Sequence, residues 1–227
     1  MRKKIAIVAP MAVDLSEELY RDIAGKIFVK NAKKLKEPDT EIDFFLMQKG
    51  FAGIDEFAWD ALNAWNSFEL YEAVRGLKGK GYDAIVVHCY WDPYIYPLRQ
   101  YMDIPVIGVA QNSLMFANMM RRKVGLITFS KYAIPIVEEL VIKYGFKDSV
   151  VSIRSTETTT DDFLQGFIDA SPIIDRFKEV ASECIKDGAE VLVPGFEIIL
   201  VSTGRFHLLA PLKSLLYHQV REKLKNL

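Results

Sequence analysis

Seven short apolar runs, separated by longer amphipathic segments, constrain the fold of this chain more than any other feature. This alternation is typical of βαβ units, in which parallel strands are joined by helices that cover the sheet. Each run has the length of a buried strand and is bounded by polar or turn-forming residues. The predicted strands are Ile5–Ala9, Ile42–Met47, Ala84–His88, Val106–Val109, Val124–Phe129, Val150–Arg154 and Val191–Val193.

The segments between these runs carry apolar residues at helical spacing, with charged residues on the opposite face. Ser130 is positioned to cap the helix that follows the fifth strand, and Gly145 and Gly188 lie where helices commonly end. The clearest predicted helices are Leu15–Leu35, Tyr132–Tyr144 and Ile173–Ile185.

Two internal echoes indicate a repeated architecture. Lys4–Pro10 resembles Lys123–Phe129, and Asp83–Cys89 resembles Glu190–Phe196. If each pair begins equivalent elements, the chain folds as two pseudo-symmetric α/β lobes, each with a mostly parallel sheet flanked by helices. The carboxyl ends of both sets of strands are then expected to face one active-site cleft.

Cys89 closes the apolar run Ala84–Cys89 and precedes a turn that contains Pro93. In open α/β sheets, ligands bind in the crevice beyond the carboxyl ends of the strands. The position therefore predicts a functional thiol. The alternative is that Cys89 is a small buried core residue, which is the commonest role of a free cysteine.

Composition excludes several classes of partner. The chain has 29 basic and 30 acidic residues, and no basic cluster is interleaved with aromatic residues, so we expect no nucleic-acid binding. No apolar stretch approaches the roughly 18 residues needed to span a bilayer, and Pro10 interrupts a superficial likeness to a signal peptide. Two cysteines form no disulfide framework and suit a reducing compartment. We expect a soluble, cytoplasmic protein.

The segment Cys89–Pro93 resembles the Cys-x-x-Asp-Pro motif that follows the third strand in hydantoin-racemase-like members of the aspartate/glutamate/hydantoin racemase superfamily. The same order continues in Ile104–Val109, Arg122–Thr128 and Gly188–Gly195. The resemblance implies that a C-terminal helix returns to the first lobe. We therefore expect a first lobe of residues 1–115 plus 208–227 and a second lobe of residues 116–207.

The resemblance also implies an isomerase without a cofactor that acts on a small-molecule carboxylate or cyclic amide, as a homodimer or higher homo-oligomer. Family racemases place two cysteines on opposite faces of an acidic carbon, because inversion needs an acid and a base on opposite sides of a planar carbanion. A thiol, whose pKa is ordinarily about 8.5, can serve when its surroundings lower that value. Cys89 is the first such residue.

This chain departs from the family pattern at the second cysteine. The residue after Gly195 is Phe196, and Cys184 lies on the apolar face of a predicted helix, where we expect it to pack in the core. Glu197 is the candidate for the second catalytic group, since an apolar cleft raises the pKa of a carboxyl toward neutrality. The alternative for Glu197 is a solvated loop residue.

The remaining candidates bind substrate or shape the turns. One of Gln111, Asn112 and Ser113 is expected to cap a helix over Leu114–Met120, which leaves the others for a ligand. Asp92 is expected to cap the helix after the Cys89 turn, and His88 to pack in the sheet. We expect no metal site, because His207 and His218 lack metal-ligand spacing. The proposed substrate contacts are Pro10, Met11, Tyr90, Trp91, Gln111, Asn112, Thr128, Gly195 and Phe196.

Phe57, Ala61, Trp65 and Phe68 follow helical spacing before the Cys89 strand. Such a stripe is typical of a core or a subunit interface, and the alternative is that some rings enclose an apolar or aryl substituent of a ligand.

Three functions remain open from the sequence. The first is a racemase or isomerase in which Cys89 acts as acid, base or nucleophile. The second is a one-cysteine decarboxylase, since protonating an enolate from one face needs one thiol. The third is a non-catalytic small-molecule binder that has lost the second thiol.

Overall fold

The structure, a computed structural model, describes residues 2–12, 36–50, 56, 59–120, 123–166 and 169–195. Within these ranges it contains the seven predicted strands, with ends that differ from the prediction by a few residues. The elements are β1 (Lys3–Ala12), β2 (Thr40–Met47), α1 (Asp60–Arg75), β3 (Ala84–Val87), α2 (Ile95–Tyr101), β4 (Val106–Gly108), α3 (Val109–Met119), β5 (Val124–Thr128), α4 (Ala133–Lys143), β6 (Val150–Ser155), α5 (Thr160–Gln165), α6 (Ser171–Lys186) and β7 (Val191–Pro194).

The strands form two parallel sheets, one in each of two compact units, Met1–Val109 and Ala110–Leu227. The first sheet has the order β2-β1-β3-β4 and the second has the order β6-β5-β7. In both units the first strand in sequence lies between the second and the third. This shared order agrees with the repeated architecture that the two internal echoes indicate. The predicted class, two α/β units with parallel sheets flanked by helices, is confirmed. The predicted helix over Leu15–Leu35 and the predicted return of residues 208–227 lie outside the described residues.

One face of the first sheet forms the core of its unit. Strand residues at alternate positions share a face, and those of β1 and β3 pack against α1 and α2. This packing holds β1 and β3 side by side, with Val8 of β1 paired to Val87, the last residue of β3. The fully buried side chains of this cluster include Val8, Leu70, Val74, Ile85, Val87 and Leu98.

In the second unit, β5 is buried along its whole length, as expected for a central parallel strand covered on both faces. A Cβ placed on Gly125 would lie 2.9 Å from the Cβ of Ala189 and 3.0 Å from the Cβ of Cys184, so this glycine permits the close approach of α6. The Cys184 side chain is fully buried, which confirms its predicted packing role.

Gly145 and Gly188 end α4 and α6 as predicted. Both have a left-handed backbone, with φ of 77° and 96°, which glycine adopts without a Cβ penalty. The amide after Gly188, that of Ala189, donates to the carbonyl of Cys184 at 3.0 Å, and Phe146 bonds in the same way to Val141. These bonds satisfy helix carbonyls that would otherwise lack a partner.

Two predicted helix starts differ from the structure. α3 begins at Val109, so Gln111, Asn112 and Ser113 lie inside its first turns, and the expectation that one of them caps a helix over Leu114–Met120 is wrong. The apolar character of Val109 favours its assignment to the preceding strand, whereas in the structure it begins the helix. Ser130 accepts a hydrogen bond from the Tyr132 amide at 3.2 Å in the turn before α4, although the N-cap itself is Tyr132.

The aromatic stripe on α1 does not fill the core. Trp65 and Phe68 are 42% and 54% exposed, whereas Asn66, Leu70 and Val74 face inward. The core interpretation is therefore wrong for these two residues, and Phe57 lies outside the described residues. None of the helices within the described ranges combines the length and apolar character needed to span a membrane.

Candidate functional site

Cys89 lies immediately beyond β3, at the carboxyl end of the first sheet. The preceding residue, His88, still follows the sheet, since its amide donates to the carbonyl of Val8 at 2.8 Å. The chain then turns, and the Cys89 carbonyl accepts a hydrogen bond from the Asp92 amide at 3.1 Å. Cys89 is a partly exposed residue, whereas Cys184 is buried. Partial exposure makes Cys89 the candidate of the two cysteines for contact with a ligand.

His88 packs in the sheet, as predicted. Its side chain is 8% exposed and its ring meets the ring of Phe44 edge to face, with 5.8 Å between the centroids and an interplanar angle of 78°. The ring therefore reaches across β1 toward β2, which holds it on the sheet surface.

The turn after Cys89 buries three of its side chains. Tyr90, Trp91 and Asp92 are 8%, 7% and 3% exposed. Asp92 does not cap α2 as predicted: the N-cap is Tyr94, which makes no side-chain cap, and the Asp92 backbone carbonyl accepts from the Ile95 amide at 3.3 Å. The Asp92 carboxylate instead lies against Gly108, where a Cβ would come within 2.5 Å of it.

Two other predicted contacts, Pro10 and Met11, lie near the carboxyl end of β1. Pro10 is buried, and its carbonyl accepts a hydrogen bond from the side-chain Nδ2 of Asn66 at 3.2 Å. A register shift between Ala9 and Ala12 places Pro10 and Met11 outside the regular pairing with β2. An irregularity of this kind is common where a strand ends beside a site.

Gln111 and Asn112 lie in the first turns of α3 and are half-buried. The structure therefore leaves both side chains partly accessible at the start of a helix that follows directly from β4.

Thr128 ends β5 and has a buried hydroxyl. The residue is 1% exposed, and its Oγ1 has no hydrogen-bond partner within the part of the chain that the structure describes. Its carbonyl, in contrast, accepts from the Thr156 amide at 2.9 Å. Leaving a buried polar atom unpaired costs about 1–3 kcal/mol, so such atoms call for an explanation, and a ligand is one.

Two further threonines, which sequence reasoning missed, lie beside Thr128. Thr156 and Thr158 are 1% and 3% exposed, and 2.8 Å separates their hydroxyl oxygens. The Thr158 amide donates to the carbonyl of Phe129 at 2.6 Å, which ties this loop to the end of β5. The signal in the sequence was the run of polar residues from Ser155 to Thr160 directly after a strand.

Arg176, which was also not predicted from the sequence, contacts the loop that carries Thr156 and Thr158. It lies on α6, and its Nη1 is 3.1 Å from the carbonyl oxygen of Glu157 and 3.2 Å from Oδ2 of Asp162. The Thr159 amide donates to the Asp162 carboxylate at 3.0 Å, and this bond, with the Arg176 guanidinium, holds the pKa of that carboxyl below its usual range. A charged clamp thus fixes the loop that carries Thr156 and Thr158.

Gly195 follows the last residue of β7 in the second unit. It is buried, and its amide donates to the carbonyl of Ile127 at 2.7 Å. Phe196 and Glu197 lie outside the described residues. Across the described residues, no group of three or more histidine, cysteine or acidic side chains is arranged to hold a metal ion.

Comparison with known proteins identifies relatives. The family model described as Asp/Glu/Hydantoin racemase matches residues 5–195. A hydantoin racemase from Pseudomonas sp. (strain NS671) is 27% identical over 165 residues, which cover 72% of this chain and 64% of the relative. The match therefore spans less than two thirds of that protein.

Solved structures share the fold. Allantoin racemase from Klebsiella pneumoniae superposes with a TM-score of 0.74 at 19% identity, covering 98% of this chain and 80% of that one. A variant of arylmalonate decarboxylase superposes with a TM-score of 0.53 at 12% identity, covering 85% and 77%. At these identities the likeness concerns the fold.

Proposed function

Because the chain belongs to the Asp/Glu/Hydantoin racemase family, we propose that it is an isomerase in which Cys89 moves the proton of a carbon next to a carbonyl group. The observation that carries this proposal is the position of Cys89, partly exposed at the carboxyl end of β3. The proposed substrate is a small cyclic amide of the hydantoin type or a related carboxylate. The hydantoin racemase relative supports the first of these.

The proposed reaction exchanges one proton. The Cys89 thiolate removes the proton from the acidic carbon, and the electron pair of the C–H bond moves into the adjacent carbonyl to form an enolate. Return of a proton to the same face restores the substrate, whereas a proton delivered to the opposite face gives the enantiomer. We propose Glu197 as the second acid, since Phe196 holds the place of the second cysteine and cannot transfer a proton.

The enolate oxygen needs hydrogen-bond donors, because stabilising a developing charge with fixed donors lowers the barrier. We propose that the Thr128 hydroxyl is one such donor. Its burial without a hydrogen-bond partner among the described residues supports this role, since a substrate oxygen would satisfy it. The remaining proposed contacts are Pro10, Met11, Tyr90, Trp91, Gln111, Asn112, Gly195 and Phe196.

A second candidate is a decarboxylase with one catalytic thiol. Loss of CO2 from a malonate-type substrate generates an enolate directly, and a single acid then protonates it from one face. Two observations favour this candidate: Phe196 replaces the expected cysteine, and Cys184 is fully buried in the core.

We further propose that the enzyme needs no cofactor, assembles as a homodimer or higher homo-oligomer, and acts in the cytoplasm. The family resemblance supports the first two statements, and the small number of cysteines, two in the chain with no disulfide framework, supports the third. Sedimentation analysis of the purified protein would test the assembly directly.

The test is proton exchange in D2O, followed by NMR, with hydantoins, amino acids and arylmalonates as substrates. We expect the protein to introduce deuterium at the acidic carbon of a hydantoin, Cys89→Ala to lose at least about 100-fold of this rate, and the matched control Cys184→Ala to retain it. Deuterium incorporation with inversion supports the racemase. Release of CO2 from an arylmalonate supports the decarboxylase instead. Ligand-induced stabilisation without exchange or CO2 release would contradict both and indicate a binder.

A further inference from the structure

Asp92 and Gly108 fit together where β3 and β4 end. A Cβ at Gly108 would lie 2.5 Å from the carboxyl carbon and from Oδ2 of Asp92, and 2.6 Å from Oδ1. Gly108 is not among the glycines with positive φ, so a Cβ at this position would be opposed by contact with the Asp92 side chain and not by backbone conformation. The Asp92 carboxylate occupies the volume that any other side chain at position 108 would fill.

The same aspartate lies in a turn of unusual conformation. Asp92 has φ of 46° and Tyr94 has φ of 57°, in the left-handed region that residues with a Cβ rarely adopt. Each such residue costs on the order of 1 kcal/mol or more and persists where the surroundings hold it. Asp92 also takes part in two backbone hydrogen bonds of the turn: its amide donates to the Cys89 carbonyl, and its carbonyl accepts from the Ile95 amide.

These contacts form a chain from β4 to the backbone of Cys89. Gly108 pairs with Val87 in the sheet. The carboxylate of Asp92, a residue that is 3% exposed, packs against Gly108. The Asp92 amide in turn bonds the Cys89 carbonyl at 3.1 Å. Displacing the carboxylate from its seat would therefore move the turn whose first residue carries the thiol.

We propose that Asp92, seated on Gly108, is a positioning residue that fixes the turn presenting Cys89. This inference rests on the proposed function for its catalytic consequence, but the position of the thiol can be measured independently of any substrate. A residue of the turn after β3 and the last residue of β4 are thereby coupled through one buried contact.

The test is a double-mutant cycle on positions 92 and 108. The variants are Gly108→Ala, Asp92→Gly, the double variant, and Asp92→Asn, which keeps the shape of the side chain. The first readout is the rate of Cys89 alkylation by iodoacetamide between pH 6 and pH 10, followed by peptide mass spectrometry. Modification of buried Cys184 in the same samples reports unfolding.

We expect Gly108→Ala and Asp92→Gly each to change the alkylation rate or the midpoint of its pH profile, with Cys184 still protected. We also expect kcat for proton exchange to fall by about tenfold to 100-fold, since small misplacements of a reacting group have effects of this size, with a smaller change in KM. The double variant should match Asp92→Gly within about twofold, because the space at 108 matters only while the carboxylate is present. Asp92→Asn should stay near the wild-type alkylation profile.

Wild-type alkylation and kcat in a folded Gly108→Ala variant would overturn the proposal, as would independent, multiplicative losses in the double variant. Should Gly108→Ala fail to fold, Asp92→Gly and Asp92→Asn decide between positioning and no effect. Full activity of Cys89→Ala would contradict the proposed function. The alkylation rates of Cys89 in the Asp92 and Gly108 variants would still test the positioning role of Asp92.

Discussion

Arg176 on α6 forms an ion pair with Asp162 on α5, with 3.2 Å between Nη1 and Oδ2. The Asp162 amide also donates to the Thr159 hydroxyl at 3.1 Å, while the Thr159 amide donates back to the Asp162 carboxylate. This reciprocal pair is a capping box at the start of α5. The loop that follows β6 is therefore fixed at its far end by a helix cap and along its length by one guanidinium.

We expect Arg176→Met to raise KM for the exchange reaction by roughly tenfold, the effect of about 1.4 kcal/mol, while kcat changes less. The reason is that the loop carrying Thr156 and Thr158 loses its charged contact with α6. This loop is hydrogen-bonded to Thr128, the proposed donor to the substrate oxygen, through the Thr156 amide. Steady-state kinetics give the split between KM and kcat. The matched control is Arg154→Met, which removes ion pairs from the opposite end of α6, to Glu183 and Asp187. Equal effects of the two substitutions would argue against a local role of Arg176.

We expect Thr128→Val to separate stability from activity. Valine has the shape of threonine, and the Thr128 hydroxyl has no partner within the described residues, so its removal should leave the free energy of unfolding unchanged or increase it. Activity should fall, because the proposed donor to the substrate oxygen is lost. Urea unfolding and exchange kinetics on the same preparation measure both quantities.

The control for this substitution is Thr156→Val. Thr156 shares a 2.8 Å hydrogen bond with Thr158 inside the protein, so its loss should destabilise the fold by about 1–3 kcal/mol. A Thr128→Val variant that loses stability to a similar extent would show that its hydroxyl has a structural partner.

The sequence was sufficient to predict the strands and the repeated topology. Parallel strands buried on both faces appear as continuous apolar runs, and β5, buried at every position, is the clearest example. Helix ends with glycine were equally readable, because Gly188 is needed for its φ of 96°. These features depend on local composition, which a single sequence displays.

Features that depend on contacts between distant segments could not be predicted. The contact of the Asp92 carboxylate with Gly108 joins the turn after β3 to the end of β4, and the spacing of these residues in the sequence does not reveal it. The pairing of Arg176 with Asp162 likewise depends on how α6 lies over the loop. For Trp65 and Phe68 only the core interpretation is wrong, because helical spacing of aromatic residues does not distinguish a face packed in the core from a face left for a subunit interface.

We expect the two cysteines to differ sharply in reactivity. Burial raises the pKa of the Cys184 thiol, and the side chain is fully buried, whereas Cys89 is partly exposed. Thiolate is the reactive form, so iodoacetamide should modify Cys89 in the native protein and Cys184 only after unfolding. Mass spectrometry before and after addition of urea measures this. Equal labelling of both cysteines in the folded protein would contradict the placement of Cys184 in the core.

The cluster of Ser152, Arg154 and Asp187 makes the stability of the second unit depend on acid pH. The Arg154 guanidinium, 2.8 Å from the Asp187 carboxylate, and the Ser152 hydroxyl, which donates to it at 2.7 Å, lower the pKa of Asp187 from its ordinary value of 3.8. A carboxyl with a lowered folded pKa contributes stability above its unfolded pKa, and this contribution is lost as the pH falls through the folded pKa.

We therefore expect Asp187→Asn to lower the urea midpoint near pH 7, and the difference from the wild type to shrink progressively below about pH 4. In an Arg154→Met background the difference at pH 7 should be smaller, because the main cause of the shift is absent. A difference between wild type and Asp187→Asn that stays constant from pH 7 to pH 2 would show that the carboxylate charge does not contribute.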